Sequence, residues 1–318
     1  MLRWPHGKDI FDLYGANVMD RKQIILFVVG NSCEDFSQYS NQHGLAGLRM
    51  TDYQCVVAEI RAIKPDQICL ENNKAFPSAV LIKDLGDLYG VVRFVSEPQR
   101  FGFPGHRARS YFILWLKSKW MFIGNENEFN LIFEEEPVLD ADDFLLAPEQ
   151  ERSEMMLRMA AKKSNIYKSG THFSQIPLEQ VFWPGTLAIK EDYAKLQSTG
   201  CNLKGTYVCD LDQNCGWSSS GSWLPCLVTH GKLFSISKGC VFTPKEHMLA
   251  MGEAVYEEAQ TQGASCLFQA FLDSGGLDSN TIKHMAGQAM HLQYLSPFVL
   301  YAVANLIRKF EGDEGFGT

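Results

Sequence analysis

Ile24-Ile25-Leu26-Phe27-Val28-Val29-Gly30-Asn31-Ser32-Cys33-Glu34-Asp35-Phe36-Ser37, residues 24–37, is the stretch that decides the fold. Its first six residues are apolar and bounded by a polar, glycine-containing segment, the pattern of a buried strand followed by a loop. That places the Cys33 thiol at the end of a strand, where open α/β sheets put their chemistry. A second strand, Gln67 to Leu70, delivers Glu71, 38 residues after Cys33. Arg107 and Arg109 lie beside a third. A thiol, an acid and an arginine pair on successive strand ends suit covalent catalysis on an electron-poor ring.

Outward from this stretch, strand-like and helix-like segments alternate, the signature of a mostly parallel sheet. A helix is expected over Asp52–Ile63, with Val56, Val57, Ile60 and Ile63 at helical spacing and Pro65 ending it. Another is expected over Ala79–Leu88, and strands over Val91–Val95 and Ser110–Leu116. Beyond Trp120 the texture becomes irregular, with the acidic runs Glu134-Glu135-Glu136 and Asp140-Ala141-Asp142-Asp143, a charged helix near Glu149–Lys163, and a loop rich in Gly, Ser, Trp and Cys. Thr243-Pro244-Lys245-Glu246 predicts a threonine-capped helix with proline in its first turn. A last helix is expected near Pro297–Arg308, with Val299, Leu300, Val303 and Leu306 as its apolar face. The expected division is 1–118 for a catalytic core, 119–284 for a smaller domain, and 285–318 for a helix returning to the core.

Composition sets broad bounds. The 318 residues suffice for a large core, and 46% hydrophobic with 21% charged residues is ordinary for a globular protein. No run of about 18 apolar residues suggests a membrane span, and the N-terminal segment has no signal-peptide core. Nine scattered cysteines fit reduced thiols inside a cell. The net charge of −8 argues only weakly against nucleic acid, because much of the acid is clustered.

Several segments together resemble the cytosine-5 DNA methyltransferases. Gly30-Asn31-Ser32-Cys33-Glu34-Asp35-Phe36-Ser37 resembles that family's Gly-Pro-Pro-Cys-Gln-x-Phe-Ser loop, and Leu70-Glu71-Asn72 its Glu-Asn-Val strand end. Phe101-Gly102-Phe103-Pro104-Gly105-His106-Arg107-Ala108-Arg109 is similar to Gly-x-Pro-Gln-x-Arg-x-Arg. Leu224-Pro225-Cys226-Leu227-Val228-Thr229, Thr243-Pro244-Lys245-Glu246 and Gly287-Gln288-Ala289-Met290 follow in the family's order.

The resemblance implies a Rossmann-like catalytic core with a target-recognition domain, and methyl transfer from S-adenosylmethionine to carbon 5 of cytosine in DNA. Cys33 would add to carbon 6, with Glu71 at ring nitrogen 3 and the exocyclic amine. Arg107 and Arg109 would orient the base and the catalytic loop or contact phosphate. Ser37 and Asn72 would assist on the substrate side. Asp9, Gly30, Ser32, Gln288, Ala289 and Met290 would approach the donor. The base must leave the duplex for carbon 6 to be reachable. A catalytically inactive DNA-binding or scaffold homologue and an RNA methyltransferase remain the alternatives.

Taken singly, each feature has a plainer explanation. Cys33 alone would be a small core residue, Glu71 a helix cap, the arginines a solvated strand edge, and Gly287-Gln288-Ala289-Met290 close helix packing. Cys201, Cys209, Cys215 and Cys226 lack the close pairs of a structural zinc site. Trp217 and Trp223 suit either base stacking or packing. Two departures from the family stand out. Ser32 replaces the proline before the nucleophile, and no Phe-x-Gly-x-Gly donor loop precedes Cys33, so the chain is expected to begin about halfway through the donor-binding half.

Overall fold

A computed structural model describes residues 24–30, 47, 50–198, 207–213, 222–260 and 277–309. In chain order the main elements are β1 Leu26–Gly30, α1 Met50–Ile63, β2 Gln67–Asn73, α2 Ser78–Leu85, β3 Tyr89–Ser96, β4 Arg109–Leu116, β5 Trp120–Phe122 and α3 Glu126–Phe133. There follow α4 Glu149–Ala161, α5 Pro184–Leu196, β6 Val208–Asp210, β7 Leu233–Ser235, β8 Cys240–Val241, α6 Pro244–Leu249, α7 Ser279–Gln288, α8 Leu292–Ala304 and β9 Leu306–Arg308. The chain divides into two compact units. The first comprises Met1–Ser96, Ala108–Glu134 and Leu295–Thr318, and the second Glu97–Arg107 and Glu135–Tyr294.

The first unit is built on a sheet of order β1-β2-β4-β3. The expected α/β class is what the structure shows, but in place of the expected mostly parallel sheet the described sheet is mixed: β1 and β2 run parallel, joined through α1. β4 is antiparallel to both β2 and β3. No helix crosses over between β3 and β4, and without a crossover consecutive strands pair antiparallel.

Both faces of this sheet are covered. On one, Ile68, Leu70, Phe112 and Leu114 pack against Tyr53, Val57 and Ile60 of α1 and Leu81 and Leu85 of α2. On the other, the Phe94 ring meets Phe129, Phe298 and Tyr301 edge-on, at centroid distances of 5.7, 5.5 and 6.2 Å. Tyr111 lies 5.3 Å from Phe298. Burying each such ring contributes about 1.5–3 kcal/mol. Two-sided cover explains why β2 and β4 read as apolar runs; β1, expected to be buried, is an edge strand of the described sheet with Leu26 and Val28 exposed.

Two local expectations are corrected. In α1 the buried face is Tyr53, Val57 and Ile60, whereas Ile63 is exposed at the helix end. The last helix starts five residues earlier than expected, at Leu292, and holds Pro297 inside it. It stops at Ala304, because Leu306–Arg308 pair with β5 instead. Its buried face is Phe298, Tyr301 and Ala302; Leu300 points to solvent. Aromatic rings anchor this helix, not the aliphatic set one step further on.

The second unit carries the antiparallel sheet β6-β7-β8. One core gathers Met155 and Met156 of α4 with Phe182, Tyr193, Tyr207 and Phe234. The other gathers Phe103, Phe144, Leu224, Phe242 and Met248. Thr243 caps α6 through a capping box with Glu246, as its sequence predicts. Buried Glu246 is also held by Arg152 at 2.7 Å and by the Ala147 backbone N–H at 2.8 Å. Among the described residues no helix is long and apolar enough to cross a membrane.

Candidate active site

Glu71 sits within β2, which continues through Asn73, and in the parallel register it stands opposite Gly30, the last residue of β1. Alternation along a strand sends residues 71 and 72 to opposite faces. Glu71, 6% exposed, reaches diagonally to Arg109, whose Nε lies 3.1 Å from Oε1. Arg109 opens β4 opposite Asn73, so the pair is set by strand register. Glu71 Oε1 has no hydrogen-bond partner among the described residues, so its contact with Arg109 is an ion pair without a hydrogen bond. A buried carboxylate held by charge, with hydrogen-bonding capacity unused, can receive a hydrogen bond from a ligand.

Asn72 is fully buried on the opposite face. Its Oδ1 accepts from the Asn73 N–H at 2.7 Å, which fixes the backbone just beyond Glu71. Ser110, its partner in register, accepts from Arg93 Nε and Nη2 at 3.0 and 2.8 Å. Arg93, which sequence reasoning did not single out, thus braces the same strand ends. Its spacing carried no signal, because it works through a serine on the neighbouring strand. Cys33, Ser32, Ser37 and Asp9 lie outside the described residues.

Arg107 belongs to the second unit. Its buried guanidinium donates to three carbonyls: Leu227 at 3.4 Å, Gly287 at 3.1 Å and Ala289 at 2.9 Å. These carbonyls belong to two of the segments that carried the family resemblance, and Arg107 to a third. The segments are drawn together further where the backbone of Leu224 exchanges hydrogen bonds with Pro104 and His106, at 2.7 and 2.9 Å. Trp223 stacks on His106 at 5.5 Å, so this tryptophan is engaged in packing.

Gly287 lies against backbone: a Cβ there would stand 2.6 Å from Thr229 N and Cα. Close helix packing therefore accounts for that glycine. Gln288 is exposed at the end of α7, and Ala289 and Met290 are half-buried beyond it. Next to them His291 packs edge-on to Phe103 at 4.4 Å. Burial, and then the charge of Arg107, push its imidazole down to about 3, so it is neutral. Of the cysteines weighed for zinc, Cys209 and Cys226 are free thiols, and Cys201 and Cys215 lie outside the described residues.

The sheet of the first unit defines an α/β protein. The family model for C-5 cytosine-specific DNA methylases matches residues 5–226. That is well over half of the chain, and the chain belongs to this family of methyltransferases. Among solved structures it is similar to the methyltransferase EhMeth of Entamoeba histolytica, at 14% identity over 87% of this chain and 76% of that one, with a TM-score of 0.45. It is also similar to the Dnmt2 methyltransferase of S. pombe, at 14% identity over 86% and 76%, TM-score 0.44. A putative DNA modification methyltransferase encoded within an E. coli prophage matches at 14% identity over 88% and 83%, TM-score 0.42. No curated protein matches the chain.

Proposed function

We propose that this chain is a DNA cytosine-5 methyltransferase acting through a covalent bond between Cys33 and the target base. One observation carries the proposal: Glu71 is buried in β2 opposite Gly30, which stands three residues before Cys33 in the sequence, and its carboxylate is ion-paired with Arg109. Carbon 5 of cytosine is a poor nucleophile. Addition of the Cys33 thiolate to carbon 6 pushes an electron pair into the ring and turns carbon 5 into an enamine carbon. Glu71 accepts from the exocyclic amine and shares a proton with ring nitrogen 3, where the displaced charge collects. Arg109 keeps that carboxyl aimed. Once carbon 5 has taken up a methyl group, loss of its proton to solvent returns the electron pair to the ring and expels the Cys33 thiolate.

S-adenosylmethionine, the donor proposed from the family, supplies the electrophilic methyl group when bound. Of the described residues proposed to meet it, Gly30 and Gln288 keep exposed surface for a ligand. The Ala289 carbonyl is taken by Arg107. DNA is the proposed substrate, presented as a cytosine flipped from the duplex.

The test is a covalent trap. Duplex DNA containing 5-fluorocytosine is incubated with the chain and donor, then resolved by denaturing electrophoresis. A shifted band that disappears in Cys33→Ala is expected. No Cys33-dependent band on DNA refutes the proposal, and a band formed on tRNA alone reassigns the substrate to RNA.

A further inference from the structure

The second unit holds a cavity of about 280 Å³ that the methyl-transfer chemistry does not use. Its walls carry Arg158, Lys162, Lys163, Lys232 and Lys283, and no carboxylate. Such a concentration of positive charge is notable in a chain of net charge −8. Asp212 neutralises Lys232 from the adjoining surface, and Asp278, which caps α7, lies within electrostatic reach of Lys162. Among the described residues, Arg158, Lys162, Lys163 and Lys283 form no ion pair. Lys283 and Lys163 donate only to carbonyls: Lys283 to Gly231, and Lys163 to Glu179 and Phe182. Burial and then the nearby Lys232 lower the Lys283 ammonium below its usual value, against the opposing pull of Asp212 and Asp210. Like charges held together in this way are relieved by an anion between them.

A second observation points to a ligand. His247 of α6 lines the cavity at 1% exposure, and neither ring nitrogen has a hydrogen-bond partner among the described residues. Buried polar atoms are ordinarily satisfied, so a donor and an acceptor stand waiting in the wall. Met155, Phe182 and Phe242 supply an apolar side. At the rim the Trp183 indole is 66% exposed, with Lys163 Nζ 5.1 Å from its ring centroid. The volume lies near the lower end of the roughly 300–1,000 Å³ range of small-ligand pockets.

We propose that this pocket binds a nucleotide, its phosphate among Arg158, Lys162 and Lys283 and its base against Trp183. Guanidinium and ammonium groups lining one cavity suit phosphate, and an exposed indole at its rim suits a stacked base. A free nucleotide and a nucleotide within a nucleic acid share this chemistry. The proposal goes beyond methyl transfer and does not depend on it.

Calorimetry on the full chain at physiological salt tests it with AMP, adenosine and a short single-stranded oligonucleotide. AMP is expected to bind saturably, adenosine at least tenfold more weakly. Arg158→Glu combined with Lys162→Glu, both exposed positions, is expected to weaken AMP at least tenfold, and Trp183→Ala severalfold. If only the oligonucleotide binds, with the same sensitivity to these variants, the nucleotide is one carried in a nucleic acid. Equal affinity for adenosine and AMP, binding untouched by the double variant, or no binding of either phosphate ligand overturns the proposal. The covalent trap at Cys33, read separately, can fail without altering any of these outcomes.

Discussion

Acid should loosen the second unit through two histidines, and the size of the effect follows from their burial. His247 and His291 are both pushed down to about 3, desolvation being the larger cause in each and a neighbouring cation, Lys283 or Arg107, the second. In the unfolded chain both titrate near 6.5. The folded values are the lower ones, so the folded state holds the neutral rings and the unfolded state takes up protons first. Stability is therefore full above pH ~6.5 and is lost as pH falls toward 3. At pH 5 the unfolded imidazole is almost wholly protonated and the folded one almost wholly neutral. That costs about 2 kcal/mol per histidine, about 4 kcal/mol for the two.

Glu246 and Glu253 act in the opposite sense, because burial raises their carboxyls above the usual range. The effect must therefore be read as a difference between proteins. Hydrogen exchange resolved by segment, at pH 8 and pH 5 and corrected for intrinsic rates, is compared between the wild type and His291→Phe. The aromatic replacement keeps the packing on Phe103. Protection of second-unit amides should fall with acid in the wild type, and by about 2 kcal/mol less in the variant. An equal fall in both proteins would refute the reasoning, as would a fall of the same size confined to the first unit.

Further outcomes follow from the strand ends and the second unit. Glu71→Gln keeps the shape but removes the charge paired with Arg109; it should leave the melting temperature within a few degrees while methyl transfer drops roughly 10²- to 10⁴-fold. Arg107→Lys cannot span three carbonyls and should destabilise the second unit by about 1–3 kcal/mol in urea titration. Arg109→Lys, which retains a cation for Glu71, should keep a visible covalent trap. Gly287→Ala should lower stability by about 1–3 kcal/mol, since the Thr229 backbone cannot yield cheaply. Arg152→Ala strands Glu246 in the interior and should cost about 3–5 kcal/mol by the same titration.

The features legible in the sequence are those encoded in short range. The apolar run before Gly30 is β1, the Thr243-Pro244-Lys245-Glu246 cap forms as written, and Glu71 and Arg109 meet because strand register brings them together. The aromatic face of α8 was not legible, because its buried set includes a tyrosine and an alanine that an aliphatic count passes over. Nor were the tethers of Arg107, since backbone carbonyls carry no residue signature. The cationic pocket draws on side chains from Arg158 to Lys283, a span too long for any local pattern.

Arg107 and Arg109 show how one short spacing can serve two unrelated needs. Read as a motif, they form a pair with a joint role. In the structure the boundary between the units passes between Arg107 and Ala108. β4 begins only at Arg109, so strand alternation does not place both side chains on one face. Arg109 spends its charge on a carboxylate of the first unit, and Arg107 spends its donors on carbonyls of the second. Substituting either can abolish activity, one through the aim of Glu71 and the other through the integrity of the second unit. Loss of activity alone therefore assigns neither arginine to the base. Only a readout that separates stability from covalent trapping does: Arg109→Lys, which keeps a cation beside Glu71, is expected to weaken trapping with little loss of stability, and Arg107→Lys to lose stability.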